Sequence, residues 1–157
     1  MKKINEILHP VSKGHGGVKA PHYKNTENLP AVRFNPEKVL ISMSQNIGAP
    51  CTPVVKVSDE VKVGQLIGDS DAFMSAPIHA SVSGKVTAIR EAKNATGRIS
   101  TCIEITSDGK MENAETMIPP VIENKEDFLK AVRDSGLVGL GGAGFPTHIK
   151  LNVPKDK

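Results

Sequence analysis

The chain has 157 residues, a net charge of +3, two cysteines, no tryptophan and only 3% aromatic residues. This length allows one moderate core and part of a second domain, and the scarcity of aromatic side chains argues against a protein that stacks nucleic-acid bases. The sequence shows neither a secretory signal peptide nor an apolar run of membrane-spanning length, so we expect a cytoplasmic protein with reduced thiols.

Residues 1–33 mix glycine, proline, histidine, asparagine and lysine without hydrophobic periodicity, which predicts an extended N-terminal arm. Its excess of lysines favours solubility and loose docking to an acidic partner over nucleic-acid binding. His9, His15 and His22 lie in this arm without cysteines or carboxylates at ligand spacing, so we expect no metal site there.

Residues 34–112 consist of short β-type runs separated by turns, and they predict a mainly β domain. Strands are predicted at residues 39–42, 54–57, 61–63, 81–82, 85–89 and 99–106. The last run alternates, with Ile103 and Ile105 on one face and Cys102 and Glu104 on the other. Many short strands at this spacing predict a small barrel or sandwich.

Residues 54–67 and 76–86 together resemble the two halves of the biotinyl and lipoyl carrier fold, a barrel-sandwich hybrid. In those carriers a modified lysine lies at the tip of the hairpin between the halves. This chain has Phe73 at that position. The resemblance therefore implies a barrel that has no attachment point for a prosthetic group and that acts as a scaffold.

Residues 111–122 contain two consecutive prolines and predict a linker, after which Asn124 is placed to cap a helix. Phe128 and Val132 lie one turn apart, so we expect both to face inward. Gly136 suits the end of this helix. Four charged residues of the helix are expected to face water, namely Lys125, Glu126, Lys130 and Arg133.

A glycine-rich segment follows the predicted helix. Gly141 and Gly142 can direct successive backbone N–H groups into one concavity, which suits an anion. Pro146 favours a helix that begins there and points its positive end at the same place, and Lys150 is close enough in sequence to add a cation. The pattern predicts a phosphate-binding loop, with a plain glycine-rich turn as the alternative.

Gly139, Gly141 and Gly144 also satisfy the Gly-x-Gly-x-x-Gly spacing of dinucleotide-binding folds. That motif requires a strand before it, a long helix after it and an acidic residue about twenty positions further on. The segment before the loop is predicted as a helix, and Pro154 shortens whatever follows Pro146. A Rossmann site is therefore not expected.

The loop sequence Gly-Leu-Gly-Gly-Ala-Gly-Phe-Pro-Thr, at residues 139–147, resembles the flavin-binding loop of the 51 kDa NADH-oxidising subunit of respiratory complex I. Together with residues 44–50 and 75–86, it resembles the RnfC subunits of the Rnf electron-transport complex. The resemblance implies an FMN site with Lys150 near the phosphate and Leu140 in place of an arginine of the complex I loop. The backbone groups implied to line the FMN site are those of Gly139, Gly141, Gly142, Ala143 and Gly144.

By this resemblance, residues 113–157 hold the linker, a helix and the start of an α/β FMN-binding domain of the complex I type. The family passes electrons between NAD(H), FMN and 4Fe–4S clusters in a ferredoxin:NAD⁺ oxidoreductase coupled to cation translocation. It would lie on the cytoplasmic face of the membrane, held by partner subunits and linked indirectly to ferredoxin.

We expect the chain to be the N-terminal part of such a subunit, inactive by itself. By the same resemblance, the NAD(H) site and two 4Fe–4S clusters would lie beyond Lys157. Cys51 and Cys102, with no Cys-x-x-Cys pattern, cannot assemble a cluster themselves. No catalytic side-chain constellation is suggested. His79 is expected to be structural, and His148 to contact either flavin or solvent.

Two alternative functions stay open from the sequence. One is a soluble RnfC-like adaptor that feeds electrons from NADH to a cytoplasmic reductase. The other is a non-enzymatic binding or scaffold module built on the barrel, which the absence of a lysine at position 73 disfavours.

Overall fold

The computed structural model describes residues 28–94 and 97–153. Contacts within the chain separate Met1–Arg33 from a second unit, Phe34–Lys157, which holds every helix and strand of the described residues. Residues 28–33 are irregular and exposed. The rest of the predicted arm, with its three histidines, lies outside the described residues.

The second unit is mainly β, as predicted, and its described part contains seven strands and two helices. The strands are β1 Lys38–Ser42, β2 Thr52–Pro53, β3 Glu60–Val61, β4 Leu66–Asp69, β5 Ile78–His79, β6 Gly84–Lys93 and β7 Ile99–Ser107. The helices, α1 Lys125–Asp134 and α2 Thr147–Leu151, follow the last strand.

The strands form two antiparallel sheets that share one core. The larger sheet has the order β1-β7-β6-β3, and the smaller has the order β2-β4-β5. A bulge between Val86 and Ala88 shifts the register of β6 against β7. Apolar side chains of both sheets meet in the core cluster, among them Ile41, Ile67, Ile78, Val86, Ile103 and Ile105.

The strict alternation in β7 places side chains as predicted at the middle of the strand. Ile103 and Ile105 are fully buried, whereas Ile99 is 68% exposed because it lies at the strand's start, outside the core cluster. Cys102 is buried too, although it is on the opposite face. Its partner in β1 is Ser42, whose hydroxyl bonds Ser100 across the pair and helps to cover that face.

The prediction of a strand at residues 54–57 is wrong. The chain turns at that point, since the Lys56 amide donates to the Asp59 carboxylate at 2.7 Å and Ser58 has a positive φ of 82°. The strand forms earlier, at Thr52–Pro53. The strand predicted at residues 81–82 is likewise displaced, to Ile78–His79.

Helix α1 begins as predicted, because the Asn124 side chain accepts a hydrogen bond from the Asp127 amide at 2.9 Å. Val132 is buried, but the expectation that Phe128 also faces inward is wrong, since it is 41% exposed. The helix meets the barrel near its C-terminal end, where Val132 lies, so Phe128 one turn earlier stays partly uncovered.

The predicted linker is attached to the barrel at its start. Asn113 pairs with Val63 in a parallel bridge, and the Ala114 amide donates to the Val63 carbonyl at 2.8 Å. Met117 then covers Gly64, and its Sδ lies 2.2 Å from where a Cβ at Gly64 would stand. The linker therefore leaves the barrel from a set position before it leads to α1.

Candidate functional site

The glycine loop, residues 139–145, is closed at its base like a small hairpin. Val138 and Pro146 form an antiparallel bridge, and the Gly139 amide donates to the Phe145 carbonyl at 3.0 Å. The five loop residues predicted to line a cofactor site are therefore neighbours in this loop, and residues 139–143 form its exposed arc. Four of the five are exposed; the exception is Gly144.

Two glycines fasten this segment to the barrel. Gly136 has φ +70°, and a Cβ there would lie 2.5 Å from the Pro77 carbonyl oxygen. Gly144 has φ +68°, and a Cβ there would lie 2.8 Å from the Gln45 carbonyl oxygen. The Ile47 amide also donates to the Gly144 carbonyl at 3.2 Å. Backbone conformation and lack of space both require glycine at these two positions.

The glycines between these attachment points are in a different situation. Gly139, Gly141 and Gly142 do not adopt the left-handed conformation. A Cβ added at Gly141 or Gly142 would meet no heavy atom within 4 Å apart from the adjoining residues, and one at Gly139 would meet its nearest at 3.8 Å. Neither local backbone geometry nor packing within the described residues explains why positions 141 and 142 lack side chains.

Lys150 is exposed on α2, which begins at Thr147, directly after Pro146. In the part of the chain that the structure describes, its ammonium makes no ion pair within 4.0 Å and no hydrogen bond to the glycine loop. The structure thus groups the five predicted loop residues and leaves the Lys150 side chain apart from them.

The two histidines of interest lie where the glycine segment meets the barrel and α1. The Nδ1 atom of His79 is 3.3 Å from where a Cβ at Gly136 would stand, and burial lowers the pKa of His79. Burial and the charge of Arg133 lower the pKa of His148, whose buried Nδ1 has no hydrogen-bond partner among the described residues. Both rings are therefore expected to be neutral at pH 7.

The surroundings of His148 are those of a helix junction. It lines a notch of about 250 Å³ together with Phe73, Leu129 and Ile149. Phe73 is 78% exposed in the connection between β4 and β5, which pair as a hairpin. The hairpin tip of the carrier fold therefore carries a phenylalanine beside α1 and α2.

Sequence reasoning missed one contact at this junction. Arg133 was expected to face water, but its Nη2 donates to the Asp69 carboxylate and to the Ser70 carbonyl, each at 2.9 Å. Both charged side chains are about one-third exposed, at 29% and 32%. The only sequence signal was Arg133's place in the last turn of the helix, which does not indicate a partner in the barrel.

Metal-binding and membrane-spanning features are not found in residues 28–94 and 97–153. No group of three or more His, Cys, Asp or Glu side chains there is placed to hold a metal ion, and no helix there combines the length and apolarity needed to cross a bilayer. Cys51 and Cys102 are buried free thiols. Burial, with Asp69 nearby, raises the pKa of the Cys51 thiol.

Comparison with known proteins identifies the barrel. The family model of the RnfC barrel sandwich hybrid domain matches residues 12–110. The chain is 44% identical over 148 residues to the C subunit of the Na⁺-translocating ferredoxin:NAD⁺ oxidoreductase complex of Acetobacterium woodii, covering 90% of this chain and 33% of the relative. It is 48% identical over 139 residues to the C subunit of the proton-translocating ferredoxin:NAD⁺ oxidoreductase complex of Clostridium ljungdahlii, covering 85% of this chain and 30% of the relative.

A more distant relative is the C subunit of an ion-translocating oxidoreductase complex of Pseudomonas aeruginosa, which is 36% identical over 142 residues, covering 87% of this chain and 18% of the relative. The chain therefore spans about a third, or less, of the length of these relatives. The matched domain is the one that the two sheets form, and the predicted barrel-sandwich hybrid is confirmed. This chain belongs to the RnfC family.

Proposed function

We propose that the chain is part of the RnfC-type subunit of a ferredoxin:NAD⁺ oxidoreductase complex coupled to cation translocation. The subunit would pass electrons between NAD(H), FMN and 4Fe–4S clusters. Family membership and the names of the relatives support this proposal, and those names favour a complex over a soluble adaptor. The relatives differ in their cation, Na⁺ in one and H⁺ in the other.

Within this subunit, residues 113–157 would begin the FMN-binding domain, and the exposed arc of the glycine loop would contact FMN. The observation that carries this assignment is the bare backbone at Gly141 and Gly142, where neither conformation nor packing accounts for a missing side chain. Close approach of a ligand to the backbone does account for it. The exposed arc therefore fits a bound phosphate or flavin edge.

The residues of this chain would hold and orient the cofactor. The cofactor would be lined by backbone groups of Gly139, Gly141, Gly142, Ala143 and Gly144. Lys150 would reach its phosphate by a change in the conformation of its exposed side chain. When bound, FMN supplies the hydride and single-electron chemistry that links a nicotinamide to iron–sulfur clusters. The barrel would serve as the base on which the loop is mounted.

The other parts of the proposal concern the whole subunit. NAD(H) and the two 4Fe–4S clusters would be bound by the portion of the relatives' length that this chain does not span. The subunit would lie at the cytoplasmic face of the membrane, held by other subunits of the complex, and would exchange electrons with ferredoxin only through them.

A pair of substitutions tests the flavin site in the full-length subunit that contains these residues. Gly142→Val should abolish FMN binding, because it puts a branched side chain where the cofactor approaches the backbone. Lys150→Ala should weaken binding by about 1 to 3 kcal/mol, the range for one charge-assisted contact. Fluorescence titration with FMN measures both effects.

The matched control is the thermal stability of the 157-residue chain with Gly142→Val. It should equal that of the unsubstituted chain, because a Cβ at this position has open space around it. Unchanged FMN affinity in the full-length protein with Gly142→Val would mean that the loop is a plain glycine-rich turn. The 157-residue chain alone is expected to be colourless, because the remaining walls of the proposed flavin site would belong to the portion of the relatives' length that this chain does not span.

A further inference from the structure

We propose that Arg133 is the positioning residue of the glycine loop and that the hairpin tip of the barrel, residues 69–77, is its docking site. The proposal rests on the assignment of the loop to FMN. It gives the carrier-type hairpin a new use. The tip holds the flavin loop in place instead of carrying a prosthetic group of its own.

Arg133 lies close to the entry of the glycine loop. It lies in the last turn of α1, three residues before Gly136, where the chain leaves the helix toward the loop. One guanidinium nitrogen, Nη2, donates to both Asp69 and Ser70 at 2.9 Å. These two acceptors are the last residue of β4 and the residue that follows it in the tip.

Gly136 packs closely against the tip beside this ion pair. Gly136 lies so near the far end of the tip that a Cβ would stand 2.5 Å from the Pro77 carbonyl oxygen. Arg133 and Gly136 thus contact the two ends of the same hairpin connection. The entry to the glycine loop is consequently held at two points of the tip.

The exit of the loop is also attached to the barrel. There the Gly144 carbonyl accepts from the Ile47 amide at 3.2 Å, on a second barrel segment. That segment is itself bound to the tip, because the Ala49 amide donates to the Met74 carbonyl at 3.0 Å. Entry and exit therefore both depend on one hairpin, and the exposed arc at residues 139–143 lies between them.

The physical consequence is preorganisation. A loop whose ends are set before the cofactor arrives loses less conformational freedom on binding, so its affinity is higher and the orientation of the bound ring is more uniform. The Arg133–Asp69 pair is suited to this role, because it is charge-assisted and about two-thirds removed from solvent.

The test compares Arg133→Met, which keeps most of the apolar stem, with Lys130→Met on the same helix. Lys130 pairs only with Asp134 within α1 among the described residues and serves as the matched control. In the 157-residue chain without flavin, hydrogen exchange of the Ile47 amide should become about tenfold faster in Arg133→Met and stay unchanged in Lys130→Met. Exchange of the Ile103 amide reports that the barrel stays folded.

A second readout uses the full-length subunit with FMN. Arg133→Met should raise the dissociation constant for FMN about tenfold and alter the visible circular dichroism of the bound flavin, because the loop no longer starts from one position. The charge-conserving variant Arg133→Lys should keep part of both properties, because its ammonium can still donate to Asp69. If Arg133→Met fails to fold, Asp69→Asn serves in its place, with a smaller change in the same direction.

Several results would overturn the proposal. Exchange of the Ile47 amide within twofold of the Lys130→Met control would show that Arg133 does not hold the loop. Faster exchange with unchanged flavin dichroism and affinity would make Arg133 a structural contact only. Failure of the flavin assignment itself is distinguishable, because it would appear as unchanged FMN affinity in Gly142→Val, whereas the exchange measurement uses no flavin.

Discussion

Replacing Gly144 by alanine should detach the glycine loop from the barrel. Gly144 has φ +68°, a conformation that costs an L-residue about 1 to 2 kcal/mol. The new Cβ would stand 2.8 Å from the Gln45 carbonyl oxygen, and relieving such overpacking costs about 1 to 3 kcal/mol. The lower ends of the two ranges add up to about 2 kcal/mol.

This free energy need not lower the stability of the whole barrel, because the loop can move away while the sheets stay intact. The hydrogen bond from Ile47 to Gly144 would then open more often. A cost of about 2 kcal/mol corresponds to roughly 25-fold faster hydrogen exchange at the Ile47 amide, since each 1.4 kcal/mol is a factor of ten. Native-state exchange monitored by NMR on the 157-residue chain measures this rate directly.

Gly141→Ala is the matched control, because its Cβ would meet no heavy atom within 4 Å apart from the adjoining residues. Exchange at Ile47 should stay at the rate of the unsubstituted chain. The reasoning is refuted if Gly144→Ala leaves this rate within twofold of the control. It is also refuted if both substitutions accelerate exchange equally, since the division between attached and free glycines would then have no energetic basis.

Three further predictions concern the barrel. Ile103→Ala should lower the free energy of unfolding by about 2 to 5 kcal/mol in urea titrations, whereas Ile99→Ala, at an exposed position, should change it by less than about 0.5 kcal/mol. Two ion pairs lower the pKa of Glu104 from 4.5 to about 2. Their contribution to the free energy of unfolding is therefore complete above pH 4.5 and is lost as the pH falls toward 2. Glu104→Gln should remove this part of the pH dependence of stability. Co-expression with lipoyl and biotin ligases should leave the intact mass unchanged, and an added group on any lysine of residues 34–112 would contradict the scaffold role.

Local patterns sufficed where neighbouring residues decide the structure. The alternation around Ile103 and Ile105 predicted their burial, because a strand paired on both sides turns alternate side chains into the core. Asn124 predicted the start of α1, because a capping bond joins residues only three positions apart. The prediction of a strand at residues 54–57 was wrong. It depended on the preference of valine for strands, whereas the Asp59 side chain closes a turn by accepting a hydrogen bond from the Lys56 amide.

In the glycine loop, too, some features could be predicted from the sequence and others could not. The glycine content of the loop alone indicated a backbone that a ligand can approach closely. The resemblance to flavin-binding loops depended on the same residues. Which glycines serve the fold and which stay open was decided by what lies against each Cβ, and those neighbours are far away in sequence: Gln45 for Gly144, and Pro77 for Gly136. The Arg133–Asp69 pair, separated by 64 residues, is equally invisible before folding. Sequence spacing specifies local turns and faces, whereas contacts between distant segments exist only once the two sheets have brought them together.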